Sequence, residues 1–240
     1  MNKLFGMFSM YKGLLLGLIG IWLFAIVMMA VGAVAYSPVE LLTSTLVFIA
    51  SVVGMSWLGG LLFGVRSHLD SSLITALILA LIFTPTAEAS GLLALAVVGL
   101  VAGASKFVLV YKGRHIFNPA AIAAVLVSFT GLAAASWWVA SPIMTPVVAI
   151  VAVVSLYQTR RFTFAGAFLA VAAAIILITY TLQYGMGLGD SLWLLLSWPL
   201  IFMAGIMLTE PLTLPPRKWQ LYTEAVLVGV LFAVSFEIGI

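Results

Sequence analysis

The chain has 240 residues, of which 65% are hydrophobic and only 7% are charged, and it contains no cysteine. Soluble domains carry about 25% charged residues, so this composition indicates an integral membrane protein. The absence of cysteine excludes disulfides, thiolate metal sites and Cys-ligated iron–sulfur clusters in this chain. The net charge of +3 does not call for a nucleic-acid partner, because the basic residues lie in short loops rather than in one patch.

Apolar segments long enough to cross about 30 Å of hydrocarbon as helices recur along the chain. They predict an all-α protein that spans the lipid bilayer about nine times. The third, fifth and eighth spans are expected to be short or broken. The approximate bounds are 13–36, 41–65, 70–85, 89–111, 117–134, 141–158, 162–183, 190–209 and 219–238.

The basic residues predict the orientation of these spans. Cytoplasmic loops are enriched in Lys and Arg, and all ten fall on one side when the N-terminus is placed inside. We therefore expect a multi-pass protein of the inner (cytoplasmic) membrane with a cytoplasmic N-terminus. Both histidines also fall in inner loops, which argues against a haem within the membrane. The ten are Lys3, Lys12, Arg66, Lys106, Lys112, Arg114, Arg160, Arg161, Arg217 and Lys218.

Two segments indicate an internal repeat. Residues 70–85 (DSSLITALILALIFTP) and 190–211 (DSLWLLLSWPLIFMAGIMLTEP) both open with Asp-Ser and close with Thr followed by Pro. Five spans separate their starts, so the second copy is inverted, as in folds that bind ligands near the bilayer midplane. The alternative is an ordinary N-cap and helix stop. Within a single membrane domain, 1–240, the repeats would cover about 12–134 and 141–240, and the second would lack a tenth helix.

Two motifs resemble the paired signatures of one membrane family. They are SKFVLVYKGRHIFNPAAIA (Ser105–Ala123) and FMAGIMLTEPLTLPP (Phe202–Pro216). The family contains related membrane subunits of the sodium-pumping NADH:quinone oxidoreductase and of the Rnf electron-transport complex. Met10-Tyr11-Lys12 and the YSPVELL segment most resemble a compact branch, in which a cytoplasmic ferredoxin-reductase-like module binding FAD and NAD(P)H follows the membrane domain. The resemblance covers essentially the whole chain.

This resemblance implies a ten-helix inverted repeat, similar in architecture to ammonium and urea channels. It also implies a flavin in the membrane domain, which relays electrons from the reductase module, in cis or in trans, across or into the membrane. The larger subunits of the family carry covalent FMN on the Thr of a Ser-x-Gly-Ala-Thr-like motif, and no Gly-Ala-Thr occurs here. We therefore expect riboflavin or FMN held non-covalently. Without a Rossmann glycine fingerprint, the chain would be a component of an NAD(P)H-dependent oxidoreductase and not catalytic alone.

Polar and ionisable residues at membrane depth are costly, so they are the candidates for flavin binding. Three of them open the short third helix, whose N-terminus favours an anionic or carbonyl-bearing ligand. No catalytic or metal-binding residue is expected. The candidates are Asp70, Ser71, Ser72, Lys106, Arg114, Asn118, Thr209, Glu210 and Thr213.

Each candidate also has a structural interpretation. Asp70 and Asn118 would be helix caps, and Glu210 would pair with Arg114 or Lys106. Lys106 would snorkel to the inner interface instead of facing a polar cavity, and Glu224 has the same two alternatives.

Other functions remain open on the sequence. The same architecture serves channels and transporters, so the chain would instead pass or bind a small solute, such as a flavin. A third alternative is a structural anchor for a reductase. The GxxxG pairs Gly13/Gly17, Gly60/Gly64 and Gly99/Gly103 predict close helix packing within the chain, with a homodimer face as the alternative.

Overall fold

A computed structural model describes residues 10–211 and 213–234, and the protein is mostly helical, at 74%. A two-stranded hairpin, β1 (Val110–Tyr111) and β2 (Arg114–His115), joins the fourth helix to the fifth. The helices are α1 (Met10–Ala30), α2 (Pro38–Phe63), α3 (Leu69–Ile82), α4 (Ala89–Val108), α5 (Pro119–Ser128), α6 (Thr145–Thr159), α7 (Phe162–Gln183), α8 (Leu188–Ser197), α9 (Leu200–Met207) and α10 (Lys218–Ala233).

The helix lengths indicate a membrane protein but do not support nine spans. In the described part of the chain, α1, α2, α4 and α7 are long and apolar enough to cross a membrane, and the bent pair α8–α9 would be a fifth if it forms one span. The shorter apolar helices α3, α5 and α6 have 14, 10 and 15 residues. At 1.5 Å per residue they reach only about 15–23 Å, less than the ~30 Å of hydrocarbon. Residues 235–238 of the ninth predicted span lie outside the described residues.

Local sequence signals set the ends of α2. Ser37 and Glu40 form a capping box, in which the Ser37 Oγ accepts from the Glu40 N–H and the Glu40 carboxylate accepts from the Ser37 N–H. The helix stops at Gly64, whose φ of 65° lies in the left-handed region that glycine adopts most readily. A Cβ on Gly60 would first meet the loop residues Val65 and Ser67, and one on Gly64 would meet nothing within 4 Å. The predicted packing of the Gly60/Gly64 pair against another helix of the chain is therefore wrong, and the homodimer face stays a prediction.

The chain forms two compact units, Met1–Val139 and Ala140–Ile240. The boundary falls between the two segments assigned to the predicted repeats.

In unit 1, α2 and α4 pack side by side and run parallel. Gly99 lies against Ser51, Gly103 against Met55, and Phe107 against Gly59. The residue numbers rise together on both helices, which defines the parallel direction. The Gly99/Gly103 pair thus packs within the chain, because side chains at these positions would collide with α2.

The segment that connects the end of α2 to the start of α4 runs back along the full length of α2. Thr86, just before α4, accepts hydrogen bonds at its carbonyl from the hydroxyls of Thr43 (2.8 Å) and Ser44 (3.0 Å), near the start of α2. Phe63, at the end of α2, lies 20 residues further along the helix, about 30 Å at 1.5 Å per residue. The helix α3 and its flanking loops therefore cover a distance similar to the thickness of the hydrocarbon core.

The short helix α3 is the most buried element of unit 1, since residues 74–83 are all buried. Its last carbonyls are satisfied by the segment after α5. Ile82 accepts from the backbone N–H groups of Ser136 (2.9 Å) and Trp137 (2.8 Å), and Ala80 accepts from the Trp138 indole (3.1 Å). A helix can end inside apolar surroundings only with such internal partners. Trp138 is itself buried, and its indole N–H caps this end of α3.

Substitution of Trp138 by Phe is expected to lower the free energy of unfolding by about 1–3 kcal/mol, because it leaves the buried Ala80 carbonyl without its donor. Trp57→Phe is the matched control, since Trp57 is 63% exposed, and it should change stability by less than about 0.5 kcal/mol. Thermal unfolding in detergent measures both. Equal shifts for the two variants would contradict the capping role.

Unit 2 has a similar order of helices. The helices α7 and α10 run parallel, with Tyr222 bonded to Thr163 near their starts (3.1 Å) and Gly229 packed against Val171 further along. Between them in sequence, α8 and α9 return along α7. This return is bent by 51° between Ser197 and Leu200. The last five residues of α7, Thr179–Gln183, and α9 from Met203 to Met207 form π-helical turns, which are often found at functional sites.

Candidate functional site

Three helix ends meet in unit 1 and bring several of the predicted site residues together. The tight hairpin after α4 reverses the chain at Lys112 and Gly113, which both have positive φ, as a two-residue hairpin turn requires. The Ile116 N–H then bonds to the Leu109 carbonyl (3.0 Å), so α5 starts close to the end of α4. The start of α3 reaches the same place through Lys106. The carboxyl end of α4 thus lies with the amino ends of α3 and α5.

Lys106 is the centre of this arrangement. It lies in the last turn of α4, only 8% of it is exposed, and its ammonium donates to the Ser71 carbonyl (2.9 Å) and the Ser71 hydroxyl (3.2 Å). The side chain therefore turns inward to α3, and the ammonium does not snorkel to an exposed surface. A buried ammonium is costly unless polar groups solvate it, and the first turn of α3 supplies some of these groups.

The first turn of α3 is polar on the side that packs inside the unit. Ser72 is 2% exposed, and the buried Thr75 hydroxyl donates to the Ser71 carbonyl (2.9 Å), which Lys106 also approaches. Asp70 lies in this turn and is half-buried. It is not the cap of the helix, because His68 occupies the N-cap position. The expected capping role of Asp70 is therefore wrong.

Asn118 is the N-cap of α5, as its structural interpretation predicts. Its Oδ1 accepts from the N–H groups of Ala120 (3.0 Å) and Ala121 (3.2 Å), with Pro119 at the first helical position. The helix α5 packs against both α4 and α3. Arg114 lies on β2 and is exposed. The predicted unit 1 candidates thus divide into an inner group around Lys106 and an exposed arginine beside it.

His115 is a member of the inner group that sequence reasoning treats mainly as a loop residue. It is half-buried, and its buried Nδ1 has no hydrogen-bond partner among the described residues. The pKa of His115 is lowered from 6.5, first because burial disfavours the charged ring and second because the charge of Lys106 repels a proton. The one feature of the sequence that could have indicated a role for His115 is its position between the basic residues of the hairpin and the Asn118-Pro119 start of α5.

The lowered pKa of His115 gives a testable pH dependence. The unfolded chain binds a proton on His115 more readily than the folded chain does. The contribution of the neutral His115 to the free energy of unfolding is therefore fully present above about pH 6.5 and decreases as the pH falls below that value. Lys106→Met should raise the pKa of His115 toward its ordinary value, but not fully, because the burial remains. NMR titration of the imidazole checks this, with the exposed His68 as internal control. No change in the His115 titration would contradict its proximity to Lys106.

The remaining candidates lie in unit 2, in the turn after α9. Thr209 is 2% exposed, and its hydroxyl donates to the Gly205 carbonyl (3.1 Å). The Thr213 hydroxyl and N–H both bond to the Glu210 carbonyl (2.9 and 3.2 Å). Thr209, Glu210 and Thr213 thus make hydrogen bonds within one polar segment, in which Glu210 is half-buried.

The unit 1 group has the chemistry of a site for an electron-rich polar group. It combines a buried cation, two helix amino ends with partial positive charge and an imidazole nitrogen that no described residue contacts by a hydrogen bond. Such a site stabilises negative charge on a carbonyl-bearing ring or on a phosphate. In the described part of the chain no three His, Asp or Glu residues are grouped so that they could hold a metal ion.

The chain matches no protein-family model, and comparisons with curated proteins and with solved structures also give no match.

Proposed function

We propose that the chain is a membrane-embedded electron-transfer domain that binds riboflavin or FMN non-covalently and takes electrons from a cytoplasmic FAD/NAD(P)H reductase module. The observation that carries the proposal is the buried Lys106, bonded to Ser71 beside His115. The second support is the resemblance of Ser105–Ala123 to the NADH:quinone oxidoreductase and Rnf subunits, because that segment contains both Lys106 and His115.

The residues around Lys106 fit a flavin. A flavin supplies reversible electron transfer, and its ring has carbonyl and nitrogen acceptors along one edge. Lys106 would hold negative charge at that edge, and His115 would offer its Nδ1 to a ring acceptor or donor. Asp70 and Ser72, at the first turn of α3, would orient the ring through hydrogen bonds. A cation fixed near the ring favours the reduced, more negative state.

The order of helices within each unit supports the internal repeat that the proposal includes. In unit 1, α3 returns between the parallel helices α2 and α4. In unit 2, the bent pair α8–α9 returns between the parallel helices α7 and α10. The two similar sequence segments, 70–85 and 190–211, contain α3 in unit 1 and the pair α8–α9 in unit 2. We propose that the short helix α3 and the bent pair α8–α9 each cross the bilayer, with the short helices completed by their loops, which gives nine crossings.

A reconstitution experiment tests the proposed function. The purified chain is mixed with riboflavin or FMN, and quenching of flavin fluorescence is followed against protein concentration. Saturable quenching, followed by electron transfer from an added NAD(P)H-dependent flavoprotein reductase, is expected. If the chain binds flavin but also carries it into liposomes without redox chemistry, the transporter alternative replaces the proposal. If no flavin binds, the anchor alternative replaces it.

A further inference from the structure

Glu224 is an acidic side chain in the apolar packing stripe of α10. Leu221, Ala225 and Val228 on that stripe pack into the core of unit 2, together with Phe164 and Phe168 of α7. Residues 221, 224, 225 and 228 follow the spacing of one helix face, so Glu224 lies along the line of contact. It is half-buried, and its Oε2 is buried with no hydrogen-bond partner among the described residues.

The charged residues near Glu224 lie at the end of the helix. Lys218 is six residues before it, about 9 Å along the axis, and Lys218 and Trp219 are exposed, as residues at a membrane interface are. The packed helix α7 contains no Asp, Glu, Lys, Arg or His. The other titratable groups on α10, on α7 and in the turns before these two helices are Lys218, Tyr222, Tyr180, Arg160, Arg161, Glu210 and Arg217.

A carboxylate in such a position is costly, because its buried Oε2 accepts no hydrogen bond from the described residues. The neutral acid avoids this cost and needs only one proton. We propose that Glu224 is a proton-binding site within the membrane, which holds its carboxyl as the neutral acid and exchanges the proton with water. This proposal does not depend on flavin binding.

An apolar carbodiimide tests the proposal on the full chain in liposomes. A neutral acid adds across one C=N bond of dicyclohexylcarbodiimide, with its proton passing to nitrogen and its oxygen bonding to the central carbon. The adduct rearranges to a stable N-acylurea without a leaving group, so the peptide gains the mass of the whole reagent. We expect this gain at Glu224, a decrease in labelling as the pH is raised, and its loss in Glu224→Gln.

A water-soluble carbodiimide with an added amine is the matched control. It should modify the exposed Glu88 and leave Glu224 unmodified. Peptide mapping of the unsubstituted protein decides the question even if Glu224→Gln does not fold. The proposal is overturned if the apolar reagent leaves Glu224 unmodified, or if the water-soluble reagent modifies Glu224 to the same extent as Glu88.

Discussion

Replacement of Lys106 by Met is expected to weaken flavin binding about 10- to 100-fold while the protein still folds. A hydrogen bond to a charged group contributes about 1.5–3 kcal/mol, and each 1.4 kcal/mol is a factor of ten in affinity. Folding should be preserved because an apolar side chain of similar length replaces a buried charge, which is often neutral or stabilising. Fluorescence-quenching titration with riboflavin and with FMN measures the affinity, and thermal unfolding measures the stability.

The hairpin offers the matched control for this substitution. Lys112 is exposed and stands over the Tyr111 ring, 5.3 Å from its centroid. Lys112→Met removes the same charge six residues further along and should leave the flavin affinity unchanged. If Lys106→Met binds flavin as tightly as the unsubstituted chain, the flavin site does not lie at the helix ends of unit 1. If both variants lose affinity equally, general electrostatic attraction is the cause.

Substitution of Gly205 by Ala is expected to lower the free energy of unfolding by about 1–3 kcal/mol. A Cβ at this position would collide with the Cβ of Ala152 on α6 and approach its Cα to 2.7 Å. Backbone atoms cannot rotate away, so α6 and α9 would have to separate. Thermal unfolding in detergent measures the loss.

Gly166 on α7 is the matched control, because a Cβ there would meet no atom within 4 Å. Gly166→Ala should be neutral or stabilising by up to about 1 kcal/mol, since Ala is a better helix former than Gly. An equal loss in both variants would mean that close packing at Gly205 is not responsible.

The sequence predicts helix positions well where local signals are strong. Hydropathy places α2, α4 and α7 within a few residues, and Asn118-Pro119 marks the start of α5 through its cap. The predicted number of nine spans is not supported by the helix lengths, because α3, for example, has only 14 residues and reaches the length of α2 only with its loops. The carbonyl groups at its C-terminal end accept hydrogen bonds from Trp138 and Ser136, which lie more than 50 residues later in the chain. The local sequence pattern of α3 does not reveal such distant partners.

The candidate site could be predicted only in part. Lys106 stands out as a charge in an apolar segment, but its bond to Ser71 depends on the parallel packing of α2 and α4, which brings the end of α4 to the start of α3. The role of His115 depends on the same packing and on a hairpin turn that the Lys112-Gly113 pair does not by itself specify. In the same way, Gly205 has no GxxxG partner in the sequence, although it makes a closer helix contact than Gly60 or Gly64.

Non-covalent flavin binding can be checked on the detergent-purified chain from its visible absorption spectrum, followed by acid precipitation. We predict that the chain carries or takes up riboflavin or FMN, and that acid releases the yellow colour into the supernatant because the flavin is not covalently attached. Colour retained in the precipitate would show covalent attachment and contradict the non-covalent binding. A chain that is colourless as purified and remains so after incubation with both flavins would contradict the flavin-binding function itself.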